Sequence, residues 1–268
     1  MPDRSYLFVP GNRPERFDKA LQSGAHAVIL DLEDAVLPEG KDSARKEIRT
    51  WLESTKNSVF IRVNAADTEW HSADCELLNH SQVRGVMLPK AELVEDLQRL
   101  SEMLRSEQSL LPLVESVEGW FQVPSFVLVP KVLRLAFGSF DFMLNSGIQG
   151  DGEELDVVRS HLVLHSRRAG LLAPIDGVSL ATQDADQIAT DVLRSRQYGF
   201  GAKLCIHPNQ IPVVNSHFLP TQTQLRWAEK VVQALEVGKV GAVAVDGKLV
   251  DKPIALLAQS FLEEVTVN

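Results

Sequence analysis

Two cysteines, Cys75 and Cys205, are all that 268 residues hold, and they stand far apart without CxxC or Cys/His ligand spacing. That excludes a disulfide framework and a structural zinc site, and it suits a reducing cytoplasm. Long hydrophobic runs are missing too. No apolar stretch approaches about 18 residues, and the short apolar segment after Met1-Pro2-Asp3-Arg4 is too brief for a signal peptide, so neither secretion nor a membrane span is expected. Positive charge is in deficit: 27 Lys and Arg face 36 Asp and Glu, for a formal net charge of -9, which speaks against general attraction to nucleic acid or an anionic membrane. Neither a Gly-x-Gly-x-x-Gly fingerprint nor a Walker sequence occurs, which leaves classical dinucleotide binding and nucleotide hydrolysis without support.

What is present is a repeat of short apolar runs, each followed by a polar or glycine-containing corner and then by a segment of helical periodicity. The runs cover residues 6–9, 27–30, 59–63, 85–88, 111–114, 133–137, 175–178 and 203–206, which makes eight. Helices are expected over 14–23, 43–53, 93–105, 119–123, 154–169 and 184–198. Continuous apolar strands alternating with helices imply a parallel sheet buried on both faces, and eight units imply closure into a (β/α)₈ TIM barrel of the α/β class. Residues 1–219 are expected to form this catalytic barrel. Residues 220–268 read as a C-terminal extension: a helix over 222–237, a hairpin from 242–245 and 248–250 about an Asp246-Gly247 turn, and a last helix over 253–264.

In such a barrel the catalytic groups gather at the carboxyl ends of the strands, so the polar residues that follow each run are the candidates. Glu115 and Asp141 follow the fifth and sixth runs, where two carboxylates could share Mg²⁺ or each cap the next helix. Arg62, inside the third run, needs a carboxylate partner from the protein or from a substrate. Asp31, Glu33 and Asp34 after the second run could hold metal-bound water around the ion, pair with Arg62 or Lys90, or form a solvated acidic loop. Arg13, Arg16 and Lys19 recur every three residues after the first run, either a face that meets phosphates or a solvated helix surface. Phe121, Phe126 and the four tryptophans read as packing residues.

Taken in order, these segments resemble the citrate lyase beta-subunit-like (CitE-like) proteins of the HpcH/HpaI aldolase and phosphoenolpyruvate/pyruvate barrel superfamily. The segments are Arg4-Ser5-Tyr6-Leu7-Phe8-Val9-Pro10-Gly11-Asn12-Arg13-Pro14-Glu15-Arg16, Ala27-Val28-Ile29-Leu30-Asp31-Leu32-Glu33-Asp34, Ile61-Arg62-Val63-Asn64, Leu88-Pro89-Lys90-Ala91-Glu92, Leu113-Val114-Glu115-Ser116, Phe137-Gly138-Ser139-Phe140-Asp141 and Cys205-Ile206-His207-Pro208-Asn209. The family includes malyl-, citramalyl- and citryl-thioester lyases. The resemblance implies that Glu115 and Asp141 bind Mg²⁺, that Arg62 holds a substrate carboxylate with Lys90 and the Gly138 and Ser139 N–H groups assisting, and that Arg13, Arg16 and Lys19 meet coenzyme A. It also implies that Asp251, in a C-terminal lid, reaches the site of an adjacent subunit as acid–base catalyst, so that the protein is a homo-oligomer, a trimer or a hexamer. Phe140 departs from the pattern, since many relatives carry glutamate there. The implied function is cleavage of a 3-hydroxyacyl-CoA to acetyl-CoA and a 2-oxo acid, with citramalyl-CoA the first choice of substrate. The alternatives are a class II pyruvate aldolase and a citrate lyase beta subunit that acts on an acyl-carrier-protein thioester inside a complex.

Overall fold

Eight parallel strands close on one another in chain order in the computed structural model, which describes residues 2–238 and 243–266. They are β1 (Ser5–Pro10), β2 (Ala27–Asp31), β3 (Val59–Arg62), β4 (Val83–Leu88), β5 (Ser109–Val114), β6 (Ala136–Phe137), β7 (Ile175–Asp176) and β8 (Ala202–Cys205). Closure is made by β1, whose Leu7 lies opposite Val28 on one side and Cys205 on the other. All eight apolar runs thus become strands of a TIM barrel. The sixth and seventh shrink to two residues each.

The barrel interior is filled by alternate strand residues, among them Tyr6, Ile29, Phe60, Met87, Leu111, Ala136, Ile175 and Leu204, a consequence of the two-residue period of a strand. The intervening residues Val28, Leu30, Ile61 and Val86 are equally buried on the helix-covered side. Burial on both faces is why the runs read as continuously apolar.

The helices of this unit are α1 (Phe17–Leu21), α2 (Lys41–Ser54), α3 (His71–Cys75), α4 (Val94–Met103), α5 (Val117–Phe126), α6 (Ser139–Ser146), α7 (Asp156–Arg168), α8 (Ala185–Tyr198) and α9 (Gln210–His217). Three of them, α3, α6 and α9, are too short for periodicity to announce them. Asp184 and Ser116 cap α8 and α5 by accepting from Gln187 N–H and Gly119 N–H. Phe121 corrects the packing expectation: it sits on the outer side of α5 and is 64% exposed, whereas Phe126 is fully buried.

Charge is also buried in the wall. Arg134 is enclosed below the barrel, donating to the carbonyls of Asp3 and Ala173 and lying over the Tyr6 ring. Asp176 on β7 is fully buried and accepts from Arg159 of α7 and Ser195 of α8, with Lys203 of β8 3.6 Å away. Burial alone would raise its carboxyl, but the Lys203 and Arg159 charges beside it hold it below the ordinary range.

The chain divides into two compact units, Pro2–Asn215 and a C-terminal one over Ser216–Asn268. The second contains α10 (Gln222–Gly238), an antiparallel pair β9 (Val243–Val245) and β10 (Lys248–Val250), and α11 (Lys252–Thr266). Ala242, expected to begin the hairpin, lies outside the described residues. The hairpin turn places Asp246 and Gly247 at φ of 47° and 75°, the left-handed pair that an Asp-Gly turn supplies. Ala228, Val231, Val245, Val250 and Ala258 form this unit's own core. Among the described residues no helix is long and apolar enough to cross a membrane.

One inward strand position tolerates no side chain at all. A Cβ on Gly85 would overlap the Ser109 carbonyl oxygen and come 2.7 Å from the Phe60 ring. Gly85→Ala is expected to lower stability by roughly 1–3 kcal/mol, read as a shift of the urea midpoint at constant slope.

Candidate active site

The carboxyl ends of β2 to β5 are tied by a chain of charges that begins at Arg62. This guanidinium is 8% exposed, and it grips Asp31 with two hydrogen bonds, Nε to Oδ1 at 2.6 Å and Nη2 to Oδ2 at 2.7 Å. Its Nη1 lies 3.0 Å from Glu33 Oε2 and 3.7 Å from Asp34, and its Cζ stacks 4.6 Å from the Phe8 ring centroid. Burial alone would weaken its hold on the proton, but the surrounding carboxylates keep it firmly charged. Asp31 is further fixed by the N–H groups of Glu33 and Ala35. Pairing with Arg62 and Lys90 is therefore what the acidic loop does. Glu33 is buried, contrary to the solvated reading, and only Asp34 of the three keeps an exposed side chain. Lys41 secures the loop from behind, donating to the carbonyls of Leu32 and Glu33 and to Asn64.

Glu33 passes the link to β4. Lys90 Nζ donates to Glu33 Oε1 at 2.8 Å, a bond that raises the lysine's pKa. The Lys90 backbone is left-handed at φ 47°, uncommon for a residue with a side chain, and in that conformation its N–H donates to Glu115 Oε1 at 2.7 Å. Glu115, directly after β5, is 4% exposed. Burial first, and then the negative charges of Glu33 and Asp141, push its carboxyl up to about 8 against the pull of the Lys90 N–H and Arg62.

The sixth corner differs from its expected form. β6 stops at Phe137, and Asp141 sits in the first turn of α6 rather than at a strand end. Gly138 between them corrects another expectation: its N–H is not free for a ligand, because it donates to the Val114 carbonyl at 2.9 Å. Its contribution is the absence of Cβ, which would lie 2.6 Å from both Cβ and Oε2 of Glu115. Ser139 opens α6, where N–H groups lack intrahelical acceptors, and its own hydroxyl is buried without a hydrogen-bond partner.

One cavity of about 360 Å³ collects Asp31, Asp34, Arg62, Glu115, Gly138, Ser139 and Asp141. Its remaining wall includes Phe8, Phe140, Val178, Leu204 and Ile206. Of these only Phe140 is singled out by the sequence, although Phe8 and Leu204 carry the inward two-residue period of their strands. Glu33 and Lys90 stand behind the lining and act through Arg62 and Glu115. A second cleft, of about 450 Å³, shares Pro10 and Ala35 with the first and is bordered by Asn12, Arg13 and Leu37. Arg13 and Arg16 both flank Glu15 at 3.8 Å and stay half exposed, and Lys19 lies exposed on α1. Asp251 belongs to the C-terminal unit, where it is exposed and its Oδ1 accepts from Ile254 N–H at the start of α11.

The donor set suits a hard cation. Among the described residues no three His, Cys, Asp or Glu side chains form a complete protein cage. Glu115 and Asp141 offer carboxylate oxygens on a shared cavity, with mutual repulsion that a cation would relieve, and Mg²⁺ keeps several waters when one or two carboxylates bind it.

The closed parallel barrel carries an arginine and paired carboxylates at its carboxyl-end mouth, and comparison with known proteins places it among enzymes of the carbon–carbon lyase type. The chain belongs to the HpcH/HpaI aldolase/citrate lyase family, whose model matches residues 4–208. It is 33% identical over 264 residues to a citrate lyase subunit beta-like protein of Mycobacterium tuberculosis, covering 96% of this chain and 93% of that one. A (3S)-malyl-CoA thioesterase of Cereibacter sphaeroides is 29% identical over 268 residues, 97% of this chain and 94% of its own. Among solved structures, protein CitE from M. tuberculosis in complex with magnesium, acetoacetate and coenzyme A superposes with a TM-score of 0.87 at 30% identity, covering 98% of both chains.

The raised Glu115 carboxyl contributes to the pH response of the metal-free protein. An unfolded glutamate ionises near 4.5, whereas the folded one keeps its proton to about 8, so its contribution favours folding below that window and is lost as pH rises through it. In EDTA, this contribution should fall by up to about 1.4 kcal/mol per pH unit between pH 5 and 8. Urea titrations of Glu115→Gln should show a clearly smaller decline.

Proposed function

We propose that the chain is a Mg²⁺-dependent lyase that splits a 3-hydroxyacyl-CoA thioester into acetyl-CoA and a 2-oxo acid. The observation that carries this reading is the meeting of Glu115, Asp141 and Arg62 on one cavity at the carboxyl end of the barrel. Glu115 and Asp141 would hold the ion, which when bound supplies positive charge against the negative charge that develops on the substrate oxygen. Arg62, its plane fixed by Asp31, turns its remaining N–H groups to the substrate carboxylate. Ser139 N–H, at the start of α6, assists there.

In the reaction the substrate hydroxyl gives its proton to solvent, its oxygen becomes the carbonyl of the oxo acid, and the adjacent carbon–carbon bond breaks. Its electron pair passes to the α-carbon of the thioester, which must take up a proton. Asp251 is assigned as donor of that proton and, in the condensation direction, as the base that removes it. Residues 220–268 act as its lid, delivered from a neighbouring copy in a cytoplasmic trimer or hexamer. The cleft beside Pro10 and Ala35 leads from the cavity toward Arg13, and Arg13, Arg16 and Lys19 are assigned to the coenzyme A phosphates.

A second reading comes from the C. sphaeroides relative's name: hydrolysis of the thioester, which would release free coenzyme A and leave the hydroxy acid whole. Incubating the purified chain with Mg²⁺ and malyl-, citramalyl- and citryl-CoA separates the two, because lysis yields acetyl-CoA with an oxo acid in equal amounts. Activity on oxo acids without a thioester would point to a class II aldolase, and activity only with an acyl carrier protein to a citrate lyase subunit.

Two variants test the assignments. Asp251→Asn should retain Mg²⁺ binding while turnover drops roughly 10²-fold or more; unchanged turnover removes its role. Glu115→Ala should abolish the Mg²⁺-dependent reaction while circular dichroism stays that of the folded chain.

A further inference from the structure

The two cysteines differ in their surroundings. Cys205 is sealed within β8, and its thiol donates to the Lys203 carbonyl of the same strand. Cys75, at the end of α3, has a histidine beside it, with His71 Nε2 3.5 Å from its Sγ. A helical turn brings residues four apart to one face, and this pair corrects the expectation that neither cysteine has a histidine at ligand spacing.

The histidine is already set to accept a ligand. Its Nδ1 lies 2.7 Å from the Asn64 carbonyl, which can only accept, so Nδ1 carries the proton and the neutral ring turns the lone pair of Nε2 toward Sγ. A carbonyl behind the other ring nitrogen is the support that metal-bound imidazoles have in common. Asn64 is itself held, because its N–H and Nδ2 both donate to buried Asp74. The separation fits as well: with Zn–N of about 2.0 Å and Zn–S of about 2.3 Å at a tetrahedral angle, nitrogen and sulfur stand about 3.5 Å apart.

An ion can reach the pair. Cys75 is buried, but it and His71 line a cavity of about 270 Å³ with Ser72, Asp96, Arg99 and Met103, of which Ser72 and Met103 are exposed. Asp96 is paired with Arg99, and among the described residues no third His, Cys, Asp or Glu joins the two. Water is left to complete the coordination, so this is not the four-ligand structural zinc site that the sequence excludes.

We infer that His71 and Cys75 form a binding site for a thiophilic divalent ion of the zinc type, held by Nε2 and Sγ and separate from the carboxylates at the barrel mouth. Burial pushes the free thiol up to about 12; on binding, the S–H bond breaks, its proton passes to solvent and the sulfur electron pair forms the metal bond. Mg²⁺, which takes oxygen ligands, has no hold on this pair. The inference does not depend on the lyase reading.

The test uses the intact protein in saturating Mg²⁺, with Zn²⁺ competed against a chromophoric chelator and Co²⁺ as spectroscopic probe. Zn²⁺ should bind, and Co²⁺ should give a thiolate-to-cobalt charge-transfer band in the near ultraviolet. Cys75→Ser should remove the band, and Cys75→Ser and His71→Gln should each weaken Zn²⁺ about tenfold or more, at least what the loss of an outer-shell partner causes. Cys205→Ala and Glu115→Ala should keep both the band and the affinity, which separates the pair from the other thiol and from the barrel mouth. Circular dichroism checks that each variant is folded, and the band of the unaltered chain needs no variant. Absence of that band, its persistence in Cys75→Ser, or Zn²⁺ affinity unchanged by His71→Gln overturns the inference and leaves the contact as an S–H···N hydrogen bond.

Discussion

A buried guanidinium cannot stand alone, and the mouth of this barrel is arranged around satisfying one. Arg62 takes both oxygens of Asp31 and one of Glu33; Glu33 in turn holds Lys90, and the left-handed Lys90 backbone hands its N–H to Glu115. Four successive strand ends are thereby fixed relative to one another through ionic and charge-assisted hydrogen bonds, which are short and directional. The chain of contacts ends at Glu115, which shares the cavity with Asp141 and whose burial makes its ionised form costly without a cation beside it.

The barrel was largely legible because strands buried on both faces leave an apolar signature that does not depend on period, and eight such runs recur at a spacing only helices can fill. What periodicity could not resolve lies where elements are short. The two-residue strands β6 and β7 and the eight-residue helix α6 carry too few positions for a pattern, so Asp141 was read as a strand-end residue although it belongs to a helix. The charged site residues were visible because an arginine or glutamate inside an apolar run is expensive without a partner. The partnership itself was not: whether Arg62 meets Asp31 or a ligand depends on register across β2 and β3, where Asp31 stands opposite Arg62. Gly138 shows the same limit. The family resemblance implies a backbone donor there, whereas its N–H is bound to Val114 and its lack of a side chain makes room for Glu115.

Apolar lining residues were the least legible part of the site. Phe8, Val178, Leu204 and Ile206 are indistinguishable in sequence from core positions, since cavity and core are the same strand faces continued toward the mouth.

The seventh sector of the barrel has a different dependence. With β6 and β7 only two residues long, few ladder hydrogen bonds are available there, and the closure relies on Asp176 bound between Arg159, Ser195 and Lys203. Because Asp176 is sealed from solvent, added electrolyte cannot reach these charges to weaken them. The dependence is unequal: loss of Asp176 would leave Lys203 without the carboxylate beside it in a dry interior, whereas Arg159 would keep Asp151.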